Sequence, residues 1–276
     1  MLVDARDPDP ACCYKVLGSL TGVYYSAMSA DGLRWSGPDK PFNNPQDSIT
    51  LTQDPMTGEY LAFLRKWPTI FRVTVSDRPA AELGPGQSPT DGALDVQLIT
   101  SADRRKWQRT EKREPIIPRG APGNFDAGSI FSVCSTAVHV GDETWVYYTG
   151  ISTSHGAPIP PKRIAIGRAE WRRHGFVSLD AGAAGGRVET KPLRLMSPRL
   201  VINADAREGE VRVALNEADG RPIAGFSADE CSALRADDVR WNPQWRNNVS
   251  PPTDRPIRVV IQMTNARLFS ISISQP

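Results

Sequence analysis

The chain has 276 residues, and 33 Lys and Arg against 31 Asp and Glu leave a formal net charge of +2. That balance offers no electrostatic case for nucleic acid. No apolar run approaches the roughly 18 residues a membrane helix requires, so no membrane partner is expected either. The 24 prolines and 22 glycines exceed the usual share, which argues against long helices and for many short strands joined by turns.

The length suits one or two domains with a core large enough to need no disulfide or structural metal. Charges appear at once at the N-terminus with no apolar stretch behind them, so no secretory signal and a cytoplasmic location are expected. Cys12, Cys13, Cys134 and Cys231 form no C-x-x-C pair, and His139, His155 and His174 show no ligand spacing. Free thiols and no metal site are therefore expected. Adjacent cysteines such as Cys12 and Cys13 seldom bond to each other, for geometric reasons. No phosphate loop, dinucleotide fingerprint, H-E-x-x-H or G-x-S-x-G occurs, so no cofactor is expected.

Residues 22–28, rich in aromatic and β-branched side chains, read as a strand. Residues 59–65 read likewise, after a turn that begins at Asp54 and ends at Gly58. Residues 71–76 and 96–100 alternate apolar and polar, as half-buried strands do. Residues 79–93 read as a long exposed loop, and 129–140, 144–148 and 163–171 as strands, with a tight turn at Gly141-Asp142-Glu143. From about Phe176 the character changes, with strands expected at 200–203, 210–215, 221–226, 257–262 and 266–273. Ser227 and Glu230 have capping-box spacing and predict one short helix reaching Leu234.

An internal repeat is present. Ser29-Ala30-Asp31 leading to Trp35 and Ser101-Ala102-Asp103 leading to Trp107 share S-A-D-x-x-x-W at an offset of 72 residues. A weaker copy is the strand ending at Trp171. A period of about 60–70 residues holding several strands suggests propeller blades longer than the common ~40–50. In each copy the Asp would cap a turn and the Trp would pack between neighbouring blades. The short strands after residue 176 suggest a β-sandwich. The expected fold is thus all-β, a partial five-bladed β-propeller over 1–175 followed by a β-sandwich over 176–276.

The motifs in order are Asp7-Pro8-Asp9-Pro10-Ala11 with Tyr14-Lys15, Tyr24-Tyr25 through Asp31-Gly32 to Trp35, and Asp54-Pro55-x-Thr57-Gly58-x-Tyr60. Gly123-x-Phe125-Asp126 and Gly141-Asp142-Glu143-x-Trp145-x-Tyr147-Tyr148 follow. Together with Gly175 to Gly182, Thr190 to Leu193, Val201 to Asp205 and Gly220 to Phe226, this pattern resembles glycoside-hydrolase-type five-bladed β-propellers, the relatives of invertases and arabinanases, with a C-terminal β-sandwich. The resemblance spans roughly residues 4–274 and implies more about fold than about substrate. About two blades and part of a third precede the sandwich, so the resemblance implies a propeller truncated at its N-terminal side. Cys12-Cys13 departs from the polar or basic residues more usual there.

Such hydrolases place Asp and Glu at the inner ends of innermost strands, where one carboxyl acts as acid and the other as base or nucleophile. Asp47, before residues 48–51, and Asp126, before residues 129–131, lie 79 residues apart, close to one blade. Either can carry chemistry or simply cap a turn. Arg65 can bind a sugar hydroxyl or carboxylate, or form a structural ion pair. Trp67 can stack on a sugar face or pack at a blade edge. His155 can reach the funnel or stand solvated in its Gly/Pro-rich loop. Asp54 reads as a turn cap, and Arg104-Arg105-Lys106 and Arg172-Arg173-His174 as solvated basic turns. The expected function is a glycosidase acting on oligo- or polysaccharides. The alternatives are a carbohydrate-binding module without turnover and an inactive fragment of a larger hydrolase. Open blade edges would invite self-association.

Overall fold

A computed structural model describes residues 1–20, 23–37, 39–42, 49–54, 57–66, 92–110, 114–246 and 250–273. The expected strand at 71–76, most of the loop at 79–93, and the candidates Asp47 and Trp67 lie outside them. The described residues form antiparallel sheets, none closed, with a three-residue 3-10 turn at Pro10–Cys12 and no α-helix. None has a helix long and apolar enough to cross a membrane. The chain divides into two compact units, Met1–Val140 with Trp145–Glu170, and Gly141–Thr144 with Trp171–Pro276.

In the first unit, β1 (Leu2–Val3), β2 (Tyr14–Leu20), β3 (Val23–Ser29) and β4 (Asp39–Phe42) form one sheet in that order. A second is built from β5 (Ile49–Gln53), β6 (Tyr60–Lys66), β7 (Asp95–Ser101) and β8 (Gln108–Arg109). In β6 the run Tyr60 to Leu64 is buried throughout, as a strand covered on both faces requires. The third sheet holds β9 (Ser129–Val133), β10 (Val138–Val140), β11 (Glu143–Ile151) and β12 (Ile164–Arg172). The single strand expected at 129–140 is two, both pairing with β11. Leu17, Ala62, Leu64 and Ile99 join the first two sheets in one core, with Trp107 packed against it. The Thr50 hydroxyl of β5 donates to the Val133 carbonyl of β9 at 2.9 Å, linking the second and third.

The S-A-D repeat forms the same turn twice. Asp31 Oδ1 accepts from the amides of Leu33 and Arg34 at 2.8 Å each and from Ser29 Oγ at 3.0 Å. Asp103 Oδ1 accepts from Arg105 at 2.9 Å, Lys106 at 2.7 Å and Ser101 Oγ at 3.2 Å. The tryptophans diverge, for Trp107 is packed while Trp35 is exposed. Asp54 caps its own turn, accepting from the Thr57 amide at 3.0 Å.

Arg104 corrects the reading of its turn as solvated. Its Nη1 lies 2.6 Å from Asp7 Oδ2, inside a buried charge cluster. Lys15 Nζ there is 3.1 Å from Asp4 and 2.9 Å from Asp7 and donates to the Cys12 carbonyl at 2.6 Å. Asp4 also accepts from the Tyr60 hydroxyl and from Gln53 Nε2. Burial works against the Asp4 carboxylate, but donation from Tyr60, Lys15 and the Arg6 amide outweighs it and holds the group below its ordinary value. Asp7 is lowered in the same way, its burial overcome chiefly by Lys15 and the Asp9 amide. The cluster ties β1 and β2 to β5 and β6 with paired charges, as buried ions require.

The second unit has β13 (Leu179–Ala181), β14 (Gly186–Glu189), β15 (Leu200–Asp205), β16 (Glu210–Glu217), β17 (Asp237–Trp241), β18 (Ile257–Thr264) and β19 (Ala266–Ile273). One sheet runs β13-β19-β15-β17 and the other β14-β18-β16. Alternation in β16 buries Val211, Val213 and Leu215, and these meet Leu200, Ile202 and Leu268 of the other sheet in one core. The strand expected at 221–226 is a turn carrying a single bridge, Asn216 to Pro222. Proline withholds a ladder donor there, and Gly225 takes φ 85°. The expected helix at Ser227 is a turn as well. Its capping box forms, with Glu230 Oε2 accepting from the Ser227 amide at 3.1 Å and Ser227 Oγ from the Glu230 amide at 3.3 Å. The chain then leaves for strand-like bridges of Cys231 with Trp245 and Leu234 with Val211, which outcompete helix propagation. Arg172, read as solvated, donates to Asn203 Oδ1 at 2.7 Å and lies 2.5 Å from Asp237. All four cysteines are unpaired.

Candidate functional site

Asp126 lies in a tight turn, in which the Ala127 amide donates to the Asn124 carbonyl at 3.4 Å, and stands three residues before β9. Its residue is only 7% exposed. Asp126 Oδ2 accepts from the Tyr148 hydroxyl at 2.6 Å. Tyr148 lies on β11, which pairs with β9 through the partners Tyr148 and Val133. The Phe125 and Tyr148 rings stack at a centroid distance of 6.2 Å. Burial, the bond to Asp126 and the charge of that carboxylate all push the Tyr148 phenol up, so it keeps its proton and remains a donor.

Missing side chains make room for this pair. A Cβ added at Gly167 would stand 2.3 Å from the Tyr148 ring, and one at Gly150 would stand 2.6 Å from both Asp126 Cβ and the Phe125 ring. Such distances leave no space for a methyl group, so the two strands seat the pair only as glycines.

The start of β9 is held on both sides. The Gly128 amide donates to the Ile151 carbonyl at 3.0 Å, and Ser129 Oγ accepts from the Leu94 amide at 3.1 Å. Further along β9, the Arg65 guanidinium lies 4.2 Å from the Phe131 ring centroid, and its Nε donates to the Phe131 carbonyl at 3.2 Å. The His155 ring stacks on Phe131 at 6.2 Å. Lys162 Nζ donates to the His155 carbonyl at 2.7 Å and fixes that loop. Arg65 and His155, which lie 90 residues apart in the sequence, therefore meet around one phenylalanine of the strand that Asp126 precedes.

Tyr148 and Phe131 were not among the candidates. Alternation along β11 could have marked Tyr148, since Val146 and Tyr148 turn inward while Tyr147 between them is exposed. Nothing in the local sequence marks Phe131. Among the described residues no group of three or more His, Cys, Asp or Glu side chains could hold a metal ion. The arrangement offers one enclosed carboxylate with a permanent donor, and beside the same strand a cation and an imidazole stacked on an aromatic ring.

No protein-family profile matches the chain, and no curated protein matches it. Among solved structures, it is similar to an N-acetylgalactosamine deacetylase from F. plautii, crystallised in complex with blood group B trisaccharide. The two are 17% identical with a TM-score of 0.38, over 54% of this chain and 41% of that one. The chain thus spans less than half of that protein's length, and a likeness this slight carries no argument about fold or activity.

Proposed function

We propose that the chain is a glycoside-hydrolase-like protein acting on glycosidic bonds of oligo- or polysaccharides, with β-propeller blades in its first unit and a β-sandwich in its second. The observation that carries this reading is the seat of Asp126, a carboxylate enclosed at the mouth of β9 with a tyrosine aimed at it. A carboxylate that accepts a hydrogen bond from a phenol is suited to the base or nucleophile role, and the acid must come from elsewhere. Asp47 is the proposed partner. It stands two residues before β5, and β5 opens the second sheet as β9 opens the third. Arg65, Trp67 and His155 are the proposed sugar contacts. The common core of the two sheets of the second unit supports the sandwich.

A second reading, carbohydrate binding without turnover, is favoured by the low exposure of Asp126 and its engagement with Tyr148. Hydrolysis of a panel of aryl glycosides and oligosaccharides by wild type, Asp126→Asn and Asp47→Asn separates the two. Turnover abolished in both variants, with circular dichroism unchanged, supports the hydrolase. Absence of turnover with saturable sugar binding by calorimetry supports the binding module. Absence of both overturns a carbohydrate role.

A further inference from the structure

The outer face of the sheet β14-β18-β16 carries a groove of about 410 Å³, a size within the range of small-molecule sites. Strand register builds its floor. Arg187, Gln262 and Arg212 stand directly opposite one another across the three strands. Opposite residues share a face, and Gln262 is exposed between the buried Ile261 and Met263, so this row points outward. Glu210 and Thr264, two residues along, form the next row of the same face. The row is fixed yet keeps bonding capacity. Arg212 donates from Nε to Glu210 at 3.1 Å and from Nη1 to the carbonyls of Cys231 at 2.9 Å and Ala228 at 3.4 Å, which leaves Nη2. Arg187 uses only Nη2, on Glu189 at 2.6 Å, and keeps the rest of its five N–H groups. The Gln262 amide meets no partner among the described residues. Arg212 and Arg235 hold the Glu210 carboxyl below its ordinary value, so it faces the groove as an ionised acceptor.

We propose that this groove of the second unit binds a neutral saccharide through its hydroxyl groups. The inference rests on the carbohydrate reading above and adds a second sugar site to it, apart from Asp126 and its neighbours. The lining selects the ligand by what it lacks and what it offers. Each guanidinium already faces a carboxylate, Arg187 with Glu189 and Arg212 with Glu210, so an anionic ligand finds no uncompensated positive charge. No aromatic ring lines the groove, so a flat aromatic ligand finds no stacking partner. What the row presents is donors and acceptors side by side. The spare N–H groups of Arg187 and Arg212 donate, Glu210 accepts, and the Gln262 amide does both. Adjacent hydroxyls on a sugar ring each donate and accept, and they match that alternation without any net charge. The floor is regular strand, and Arg212 is pinned by two backbone carbonyls, so little ordering accompanies binding.

Calorimetric titration of the full chain with maltotriose, cellotriose and arabinotriose tests this. At least one is expected to bind, and Gln262→Ala and Arg187→Ala are each expected to raise its dissociation constant about tenfold. Both positions are exposed, so circular dichroism and the denaturation midpoint should stay as in wild type. Raising salt from about 0.05 to about 0.5 M is expected to change the affinity by less than about twofold, because no charge is neutralised on binding. Affinity that collapses in salt overturns the neutral ligand. Binding that Asp126→Asn abolishes and both groove variants leave untouched overturns this site while the proposed function stands. Absence of binding by all three sugars overturns the groove as well, and hydrolysis of aryl glycosides by the same preparation then decides the proposed function separately.

Discussion

Arg104 stands where Gly32 stands one repeat earlier, each following the capping aspartate of its turn, and both backbones are left-handed, at φ 58° and 74°. An L-residue in that region costs about 1–2 kcal/mol, which glycine avoids. Arg104 occupies it because its guanidinium reaches Asp7 at 2.6 Å and Cys12 Sγ at 2.9 Å. Arg104→Ala keeps the backbone strain and loses those contacts, whereas Arg104→Gly loses the contacts and the strain together. Both variants are expected to be less stable than wild type, with Gly about 1 kcal/mol more stable than Ala in urea denaturation. An Ala variant equal to the Gly variant would contradict this account of the turn.

The same cluster makes stability depend on acid. Asp4 and Asp7 are held below the ordinary carboxylate value in the folded chain. Their contribution is complete above the unfolded value near 4 and disappears as pH falls through the lowered folded values. Denaturation midpoints measured from pH 7 downward are expected to hold steady and then fall below about pH 4. The Asp4→Asn, Asp7→Asn double variant starts from a lower midpoint at pH 7 and declines less steeply. Parallel curves for variant and wild type would remove these two carboxylates from the acid response.

Tyr148→Phe deprives the buried Asp126 carboxylate of its donor and is expected to cost about 1–3 kcal/mol. Gly167→Ala presses a methyl group into the Tyr148 ring and is expected to cost about as much through overpacking. Gly182→Ala is the control, because nothing lies within 4 Å of a Cβ added there. Its effect should stay within about 0.5 kcal/mol. Chemical denaturation of the three variants measures all of this, and a neutral Gly167→Ala would show that the pair relaxes freely.

The turns were legible because their chemistry is local. Asp31, Asp54 and Asp103 bond to amides two or three residues onward, so their spacing alone announces them. The capping box of Ser227 was legible too, yet the helix was not there. Bridges from Cys231 to Trp245 and from Leu234 to Val211 decide the path, and these lie beyond any local window. Arg104 and Arg172 looked like solvated cations because their partners Asp7 and Asp237 are 97 and 65 residues away.

By itself the sequence determined an all-β chain of short strands, the two matching Asp-capped turns, and Asp126 as a carboxylate at a strand's mouth. Those features rest on alternation and on bonds that close within a few residues. Only the tertiary structure decided that Asp126 is enclosed beneath Tyr148, that Arg65 and His155 meet on Phe131, and that the N-terminal charges are buried together. Each depends on strand register and on how sheets pack, and neither is written into any one stretch of the chain.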